Sequence, residues 1–323
     1  YNISTAVGKG TAGDSGDGGL ATSAELYYPQ DIKADSAGNL YIACSQNDLV
    51  RKVDRNSGII STYAGTGLYG FSGDGGAATS AKLNGPKGLA FDSAGNLYIA
   101  DSDNKRVRKV TASTGIISTV AGSGNYSVNT NHHHSTTASS GSALSANIVP
   151  DSICFDSQDN LYIGARTGVG IYVFTVTNGY LTTIAGIAGP PYPTYGGVGH
   201  SGDGGPATSA SFGAYISSIT FDINEDYLYL SDYLNHRVRR INMSTGYIYN
   251  LYIADLSNHR IRKVDNQNGI ITTVAGNGYG TNGTGGYSGD GGDALLARMF
   301  WPRGVYVDFQ NQNQRIYFTE IGN

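Results

Sequence analysis

The chain is predicted to be an all-β protein, a β-propeller of about six four-stranded blades, and three features of its sequence carry that prediction. First, one short pattern recurs six times: LYIAC (Leu40–Cys44), LYIAD (Leu97–Asp101), LYIGA (Leu161–Ala165), LYLSD (Leu228–Asp232), LYIAD (Leu251–Asp255) and IYFTE (Ile316–Glu320). Second, a glycine-rich motif recurs ahead of most of them. It reads GDGGLATSAEL from Gly16, GDGGAATSAKL from Gly73, GDGGPATSASF from Gly202 and GDGGDALLARM from Gly289. Third, 47 glycines and 24 tyrosines with only 14% charged residues favour strands joined by tight turns.

The most complete unit, Gly73–Gly122, shows how each element arises. LAFD makes a first strand, SAGN a turn, LYIAD a second strand, RVRKV a third and GIISTVAG a fourth. Four short strands per repeat, separated by Gly, Asn and Asp turns, form a propeller blade. One such sheet has too little core of its own and must bury its faces against the neighbouring sheets. Helical periodicity is nearly absent, and the ATSA stretches allow at most one turn. Residues 1–323 therefore read as a single propeller domain.

The sequences LYLSDYLNHRVRRI (Leu228–Ile241) and LYIADLSNHRIRKV (Leu251–Val264), with the GDGG-x-ATSA loops, resemble NHL repeats of the secreted and cell-surface kind. The resemblance covers essentially the whole chain and is specific for fold. It is poorly specific for function, because one propeller architecture hosts many activities. Similar propellers include lyases that carry a histidine-ligated zinc, and some bind RNA on a positive face.

Comparing the repeats with one another singles out further residues. The last position of the LYIAD motif is Asp101, Asp232 and Asp255 in three repeats, and five residues later stand Arg106, Arg237 and Arg260. Where the acid is replaced by Cys44 or Ala165, the arginine is replaced by Leu49 or Gly170. This co-occurrence predicts structural Asp–Arg ion pairs. Three residues after the acid position comes Asn47, Asn104, Asn235, Asn258 or Asn323, suited to a left-handed hairpin position. The aspartates of the GDGG loops (Asp17, Asp74, Asp203, Asp290) are expected to cap the amides that open the ATSA turn. A calcium loop over Asp14–Glu25 is disfavoured, since Gly16 and Gly18 stand where oxygen ligands are required. Cys44 and Cys154 lie at different repeat positions and read as buried free thiols.

No nucleophile elbow, Walker loop, HExxH or carboxylate pair appears, so no catalytic residue and no cofactor is assigned. His132–His134 read as part of a polar insertion. The resemblance leaves His236 and His259 as the weak metal candidates, two ligands where a zinc site needs at least three. The third strands are basic, yet a net charge of −4 argues against nucleic acid as a partner. No apolar run is long enough to span a membrane as a helix, and no signal peptide is visible. Four N-glycosylation sequons, at Asn2, Asn125, Asn242 and Asn282, point to a secreted or cell-surface protein.

The leading functional expectation is a non-enzymatic extracellular scaffold that binds protein or glycan, as a module of a surface fibre or filament. The alternatives are a metal-dependent lyase-like propeller enzyme and a binder of small ligands or carbohydrate at the propeller axis. Motif spacing adds one anomaly. Successive motifs lie 57, 64, 67 and 65 residues apart, but Leu228 to Leu251 is only 23. About 35–40 residues are missing there relative to the other copies, enough for a fourth strand, a GDGG loop and a first strand. The sequence therefore predicts a break near 249–251, an incomplete blade region, and a chain that belongs to something longer.

Overall fold

The computed structural model describes residues 4–125, 141–167, 170–186, 206–212, 216–222, 224–232, 237–243, 251–255, 258–264, 271–278, 288, 290–299, 301–308 and 315–320. The first sheet contains β1 (Pro29–Ala34), β2 (Leu40–Cys44), β3 (Leu49–Val53) and β4 (Ile60–Ala64), antiparallel and in sequence order. The second repeats it with β5 (Pro86–Phe91), β6 (Leu97–Asp101), β7 (Arg106–Val110) and β8 (Ile117–Ala121). The third is built from β10 (Val149–Phe155), β11 (Leu161–Thr167), β12 (Gly170–Thr177) and β13 (Tyr180–Ala185), with the two-residue β9 (Gly141–Ser142) on its outer edge. Then follow β14 (Ile216–Phe221), β15 (Tyr227–Asp232) and β16 (Arg237–Asn242), and β17 (Leu251–Asp255), β18 (Arg260–Val264) and β19 (Ile271–Ala275). Last come β20 (Pro302–Asp308) and β21 (Arg315–Glu320).

The architecture is an all-β propeller of small antiparallel sheets; five of the six LYIAD-type motifs are the second strand of their sheet, and the Leu251–Asp255 copy is the first described strand of its own. It is not six four-stranded blades. Among the described residues five sheets have three strands or more, and the sixth motif forms only the pair β20–β21. The shortfall follows from spacing. With 23 residues between Leu228 and Leu251, no chain remains for a fourth strand after β16 and a first strand before β17. Residues 244–250, where the break was expected, lie outside the described residues.

The chain divides into two compact units, residues 1–69 with 248–323, and residues 70–247. In the first unit, β20 packs against both β1 and β17. In the second, β10 packs against β5 and β14. The core of each unit lies between facing sheets. Ala100, Val107, Ala121, Ile148, Ile153 and Ile163 interlock between the second and third sheets. Ile32, Ile42, Cys44, Val53 and Ile60 form the equivalent layer in the first unit, with Val7, Leu26 and Tyr317 packed on it. Burial of such aliphatic side chains contributes about 1.5–3 kcal/mol each.

The GDGG-x-ATSA motif has a steric logic. Gly16 and Gly73 take left-handed backbone (φ +102° and +89°), and a Cβ there would stand 2.7 and 2.6 Å from the Cα of Ala24 and Ala81. Glycine on one side and a small alanine on the other let the loop fold back on itself. The ATS residues between them form single 3₁₀ turns, Ala21–Ser23 and Ala78–Ser80, with no side-chain cap. Among the described residues no helix is long and apolar enough to cross a membrane.

Candidate functional site

A buried charge network recurs at the strand ends. Asp101, fully buried at the end of β6, accepts hydrogen bonds from Asn84 N (2.8 Å) and Asn104 Nδ2 (2.8 Å). Its salt-bridge partner is Arg108, at 3.3 Å, rather than Arg106. Asp232 pairs likewise with Arg239 (3.6 Å) and Asp255 with Arg262 (3.6 Å), seven residues on instead of five. The register explains this correction. Arg106, Arg237 and Arg260 are directly opposite their aspartates across the hairpin. Arg106 nevertheless donates to the carbonyls of Asn104 (2.8 Å) and Ser123 (3.0 Å), with its guanidinium 3.7 Å from the Phe71 ring centroid. Arg260 donates to the Asn277 carbonyl (3.3 Å). Arginine two residues further along lies diagonal to the acid, within reach of a long side chain. The β6–β7 register itself is unbroken, and the irregularity at Val107/Arg108 leaves its extra residue, Val120, on β8; the same shift falls at Val50/Arg51 and Ile261/Arg262.

The GDGG aspartates belong to this network and do not cap the 3₁₀ turns as expected. Asp74 accepts from Arg108 Nη2 (2.7 Å) and Thr119 Oγ1 (2.6 Å). Asp17 accepts from Arg51 Nη2 and from Thr62 N (2.8 Å). Each therefore ties its loop to the third and fourth strands of its own sheet. Asp203 lies outside the described residues. In the first sheet Cys44 stands where Asp101 stands in the second. Arg51 there is fully buried, and its Nε has no hydrogen-bond partner. Burial drives the Cys44 thiol up to about 12, so it is not a nucleophile at neutral pH. For Asp101, burial outweighs its hydrogen bonds and Arg108, raising it from 3.8 to about 6.

The hairpin asparagines act through their side chains. Besides holding Asp101, Asn104 Nδ2 donates to the Gly70 carbonyl (2.6 Å), and Asn258 Nδ2 donates to Asp255 (2.9 Å). The left-handed backbone falls one residue later, at Asp48 (φ +55°), Lys105 (+59°) and His259 (+54°). His259 Nδ1 accepts a long hydrogen bond from Trp301 N (3.4 Å). His236 and His132–His134 lie outside the described residues, and among those described no three His, Cys, Asp or Glu side chains converge as metal ligands.

Sequence comparison missed two further groups. In the second unit Asp151, nearly buried, is held by Lys87 Nζ (2.6 Å) and Arg166 Nε (2.9 Å). In the first unit Arg303 Nη1 donates to Gln30 Oε1 (2.7 Å), linking the starts of β20 and β1. Next to this link stand exposed aromatic residues, Tyr27 and Tyr28 ahead of β1 and Trp301 ahead of β20. The Pro that opens each of these strands was a usable signal, since the residues before it occupy equivalent repeat positions. Of the sequons, Asn125 is exposed in a loop and Asn242 is exposed as the last residue of β16. Asn2 and Asn282 lie outside the described residues.

Comparison with known proteins agrees with these repeats. A family model described as the teneurin NHL domain matches residues 69–140. The chain is 31% identical over 97 residues to Protein SUPPRESSOR OF QUENCHING 1, chloroplastic, of Arabidopsis thaliana, a match covering 30% of this chain and 9% of that one. It is 34% identical over 114 residues to Teneurin-m of Drosophila melanogaster, covering 32% of this chain and 4% of that one. The chain thus spans less than a tenth of the length of either relative. Among solved structures, a nidogen/laminin complex is similar with a TM-score of 0.49 at 14% identity, over 77% of this chain and 80% of that one. Virginiamycin B lyase from Staphylococcus aureus is similar with a TM-score of 0.45 at 14% identity, over 90% of this chain and 76% of that one. The recurring LYIAD-type strands, the GDGG loops anchored to the strands that follow them, and the match of residues 69–140 to the teneurin NHL domain together support an NHL-repeat β-propeller.

Proposed function

We propose that the chain is a non-enzymatic interaction module of an extracellular or cell-surface protein, binding protein or glycan as part of a larger assembly. The observation that carries this reading is the match of residues 69–140 to the teneurin NHL domain, supported by the identity with Teneurin-m. Surface chemistry supports it as well. Leu68 and Tyr69 project from the loop after the first sheet, 61% and 77% exposed, where an apolar side chain gains nothing from the fold. The exposed Asn125, first residue of a sequon, fits a secretory route. The recurring charges serve architecture. Asp101, Asp232 and Asp255 are each committed to an arginine of the same sheet, and His259 engages the Trp301 amide.

The test is saturable binding of the purified, labelled chain to intact cells of its source, before and after protease or glycosidase treatment. Binding that one of the two treatments removes is the expected result and names the partner class. Absence of saturable binding to untreated cells overturns the reading.

A further inference from the structure

Among the described residues, the non-glycine positions with left-handed backbone are Tyr28, Asp48, Lys105, Asp159, Asn178, Glu225, His259 and Trp301. Most are polar turn residues of the kind that tolerate this conformation. Tyr28 (φ +52°) and Trp301 (φ +50°) are not: they are bulky aromatics, for which this conformation is strained. Both stand immediately before the proline that opens a first strand, Pro29 and Pro302. The same repeat position in the second sheet is Gly85, at φ +58°, the residue such backbone calls for. Two repeats therefore keep a strained aromatic where glycine would serve the fold better.

These aromatics do not repay the strain through burial. Tyr28 is 41% exposed, Trp301 43% and the adjacent Tyr27 38%. Tyr27 and Tyr28 meet edge to face at 5.2 Å, which fixes the two rings relative to each other. The two positions are neighbours in space as well as equivalent in the repeat. β20 packs on β1, Arg303 Nη1 reaches Gln30 Oε1, and Thr319 Oγ1 donates to the Gln30 carbonyl (3.3 Å). Polar groups lie beside the aromatics: the Gln30 amide, bonded to Arg303 Nη1 and to Ser45 Oγ, and the His259 ring, bonded to the Trp301 amide. Exposed leucines of the same unit, Leu20, Leu295 and Leu296, belong to a different repeat position, beside the turns that follow the GDGG loops. Strained exposed backbone points to a functional site, and exposed aromatic rings beside amide and guanidinium groups have a definite chemical complement. A pyranose ring offers an apolar C–H face to stack on the aromatics and equatorial hydroxyls for the planar donors and acceptors.

We propose that Tyr27, Tyr28 and Trp301, rimmed by Gln30, Arg303 and His259, form a stacking platform for a pyranose oligosaccharide. The proposal deepens the interaction-module reading, resting on it only for the presence of glycan where the chain works. Trp301 is the one tryptophan of the chain, so its fluorescence reports the platform directly. Titration of the intact chain with cellohexaose and with chitohexaose is expected to shift and quench this emission saturably for at least one of them. Tyr28→Gly and Tyr27→Ser are expected each to weaken that sugar by roughly tenfold or more. Tyr28→Gly is expected in addition to leave Tm unchanged or raised, because glycine relieves the left-handed strain. Unaltered emission with both sugars overturns the proposal, as does parental affinity in both variants. If both variants still bind cells as the parent does while no sugar moves the emission, the platform fails and the module reading stands. Sugar-dependent quenching without saturable cell binding is the reverse outcome, keeping the platform and discarding the module.

Discussion

Asp101 is the residue on which the strand-end network turns, and its titration makes the network measurable. Its carboxyl is raised from 3.8 to about 6 because burial outweighs the bonds from Asn104, Asn84 and Arg108. A raised folded-state pKa means that the native chain binds this proton more tightly than the unfolded chain. The associated stability is present in full below about 4 and lost as pH rises through about 6. Urea unfolding of the parent should therefore show stability falling, relative to Asp101→Asn, between these limits, with parallel curves outside them. Curves parallel throughout would mean that Asp101 is not shifted. Cys44 offers the complementary experiment. An aspartate placed in a core ordinarily costs several kcal/mol. At this position it would meet buried Arg51, whose Nε is unpartnered, as well as Asn47 in the role of Asn104. Cys44→Asp is expected to cost less than about 1 kcal/mol by thermal or urea unfolding, whereas Cys44→Leu gains no such partner. The acidic positions of this network were legible in the sequence, but their partners were not. Co-occurrence pointed to the arginine directly across the hairpin, whereas the ion pair is made by the long side chain of the diagonal one.

At the scale of the element, each sheet depends on turns whose conformation leaves no choice of residue. Gly122, just past β8, has φ +91°, and a Cβ there would stand 2.2 Å from the Lys105 carbonyl oxygen. Gly65 meets Asp48 O at 2.3 Å and Gly276 meets His259 O at 2.3 Å, so the same close approach is built into three sheets. Gly122→Ala must both strain the backbone and push strand four away from the hairpin between strands two and three. A loss of about 2–4 kcal/mol in the urea unfolding of the chain is expected, against at most about 1 kcal/mol for Gly95→Ala, which has φ +78° but open space around it. Equal losses would show that conformation alone, not the close approach, makes Gly122 necessary. Such elements were readable because turn residues and strand alternation are local properties, and each LYIAD-type motif became a strand paired with the basic or first strand beside it. The GDGG loops were readable as turns but not as anchors. Their aspartates act on Arg51 and Arg108, 34 residues further along the chain, where no local pattern reaches.

At the scale of the whole molecule, the first described residues make contacts that belong to the other end of the sequence. Thr5 donates to Asp290 Oδ2 through both its backbone N (3.0 Å) and its hydroxyl (2.6 Å), within one compact unit. The contact repeats those of Thr62 N with Asp17 and Thr119 Oγ1 with Asp74, where a fourth-strand threonine meets the GDGG aspartate of its own repeat. Ile3–Val7 reads ISTAV, like the ISTYA of β4 and the ISTVA of β8. Immediately afterwards Gly8 N donates to Ala21 O (2.8 Å), as Gly122 N does to Ala143 O (2.8 Å). Thr5 thus takes the place of the fourth-strand threonine in the repeat that Asp290 opens, joining sequence positions 285 residues apart. A contact of that separation closes a very long loop, so its loss should be felt by the unit as a whole rather than by the loop alone. Asp290→Ala is expected to lower unfolding stability by about 0.5–1.5 kcal/mol, the usual net worth of such hydrogen bonds. Removal of residues 1–7 should cost more, since it also withdraws Val7 from the layer formed by Ile32, Ile42 and Ile60. The decisive measurement is the double change. If Asp290 acts through Thr5, then Asp290→Ala adds nothing once residues 1–7 are gone, and the cycle shows a coupling equal to the single-substitution loss. Fully additive losses would mean that the amino-terminal segment and the last GDGG loop are stabilised independently.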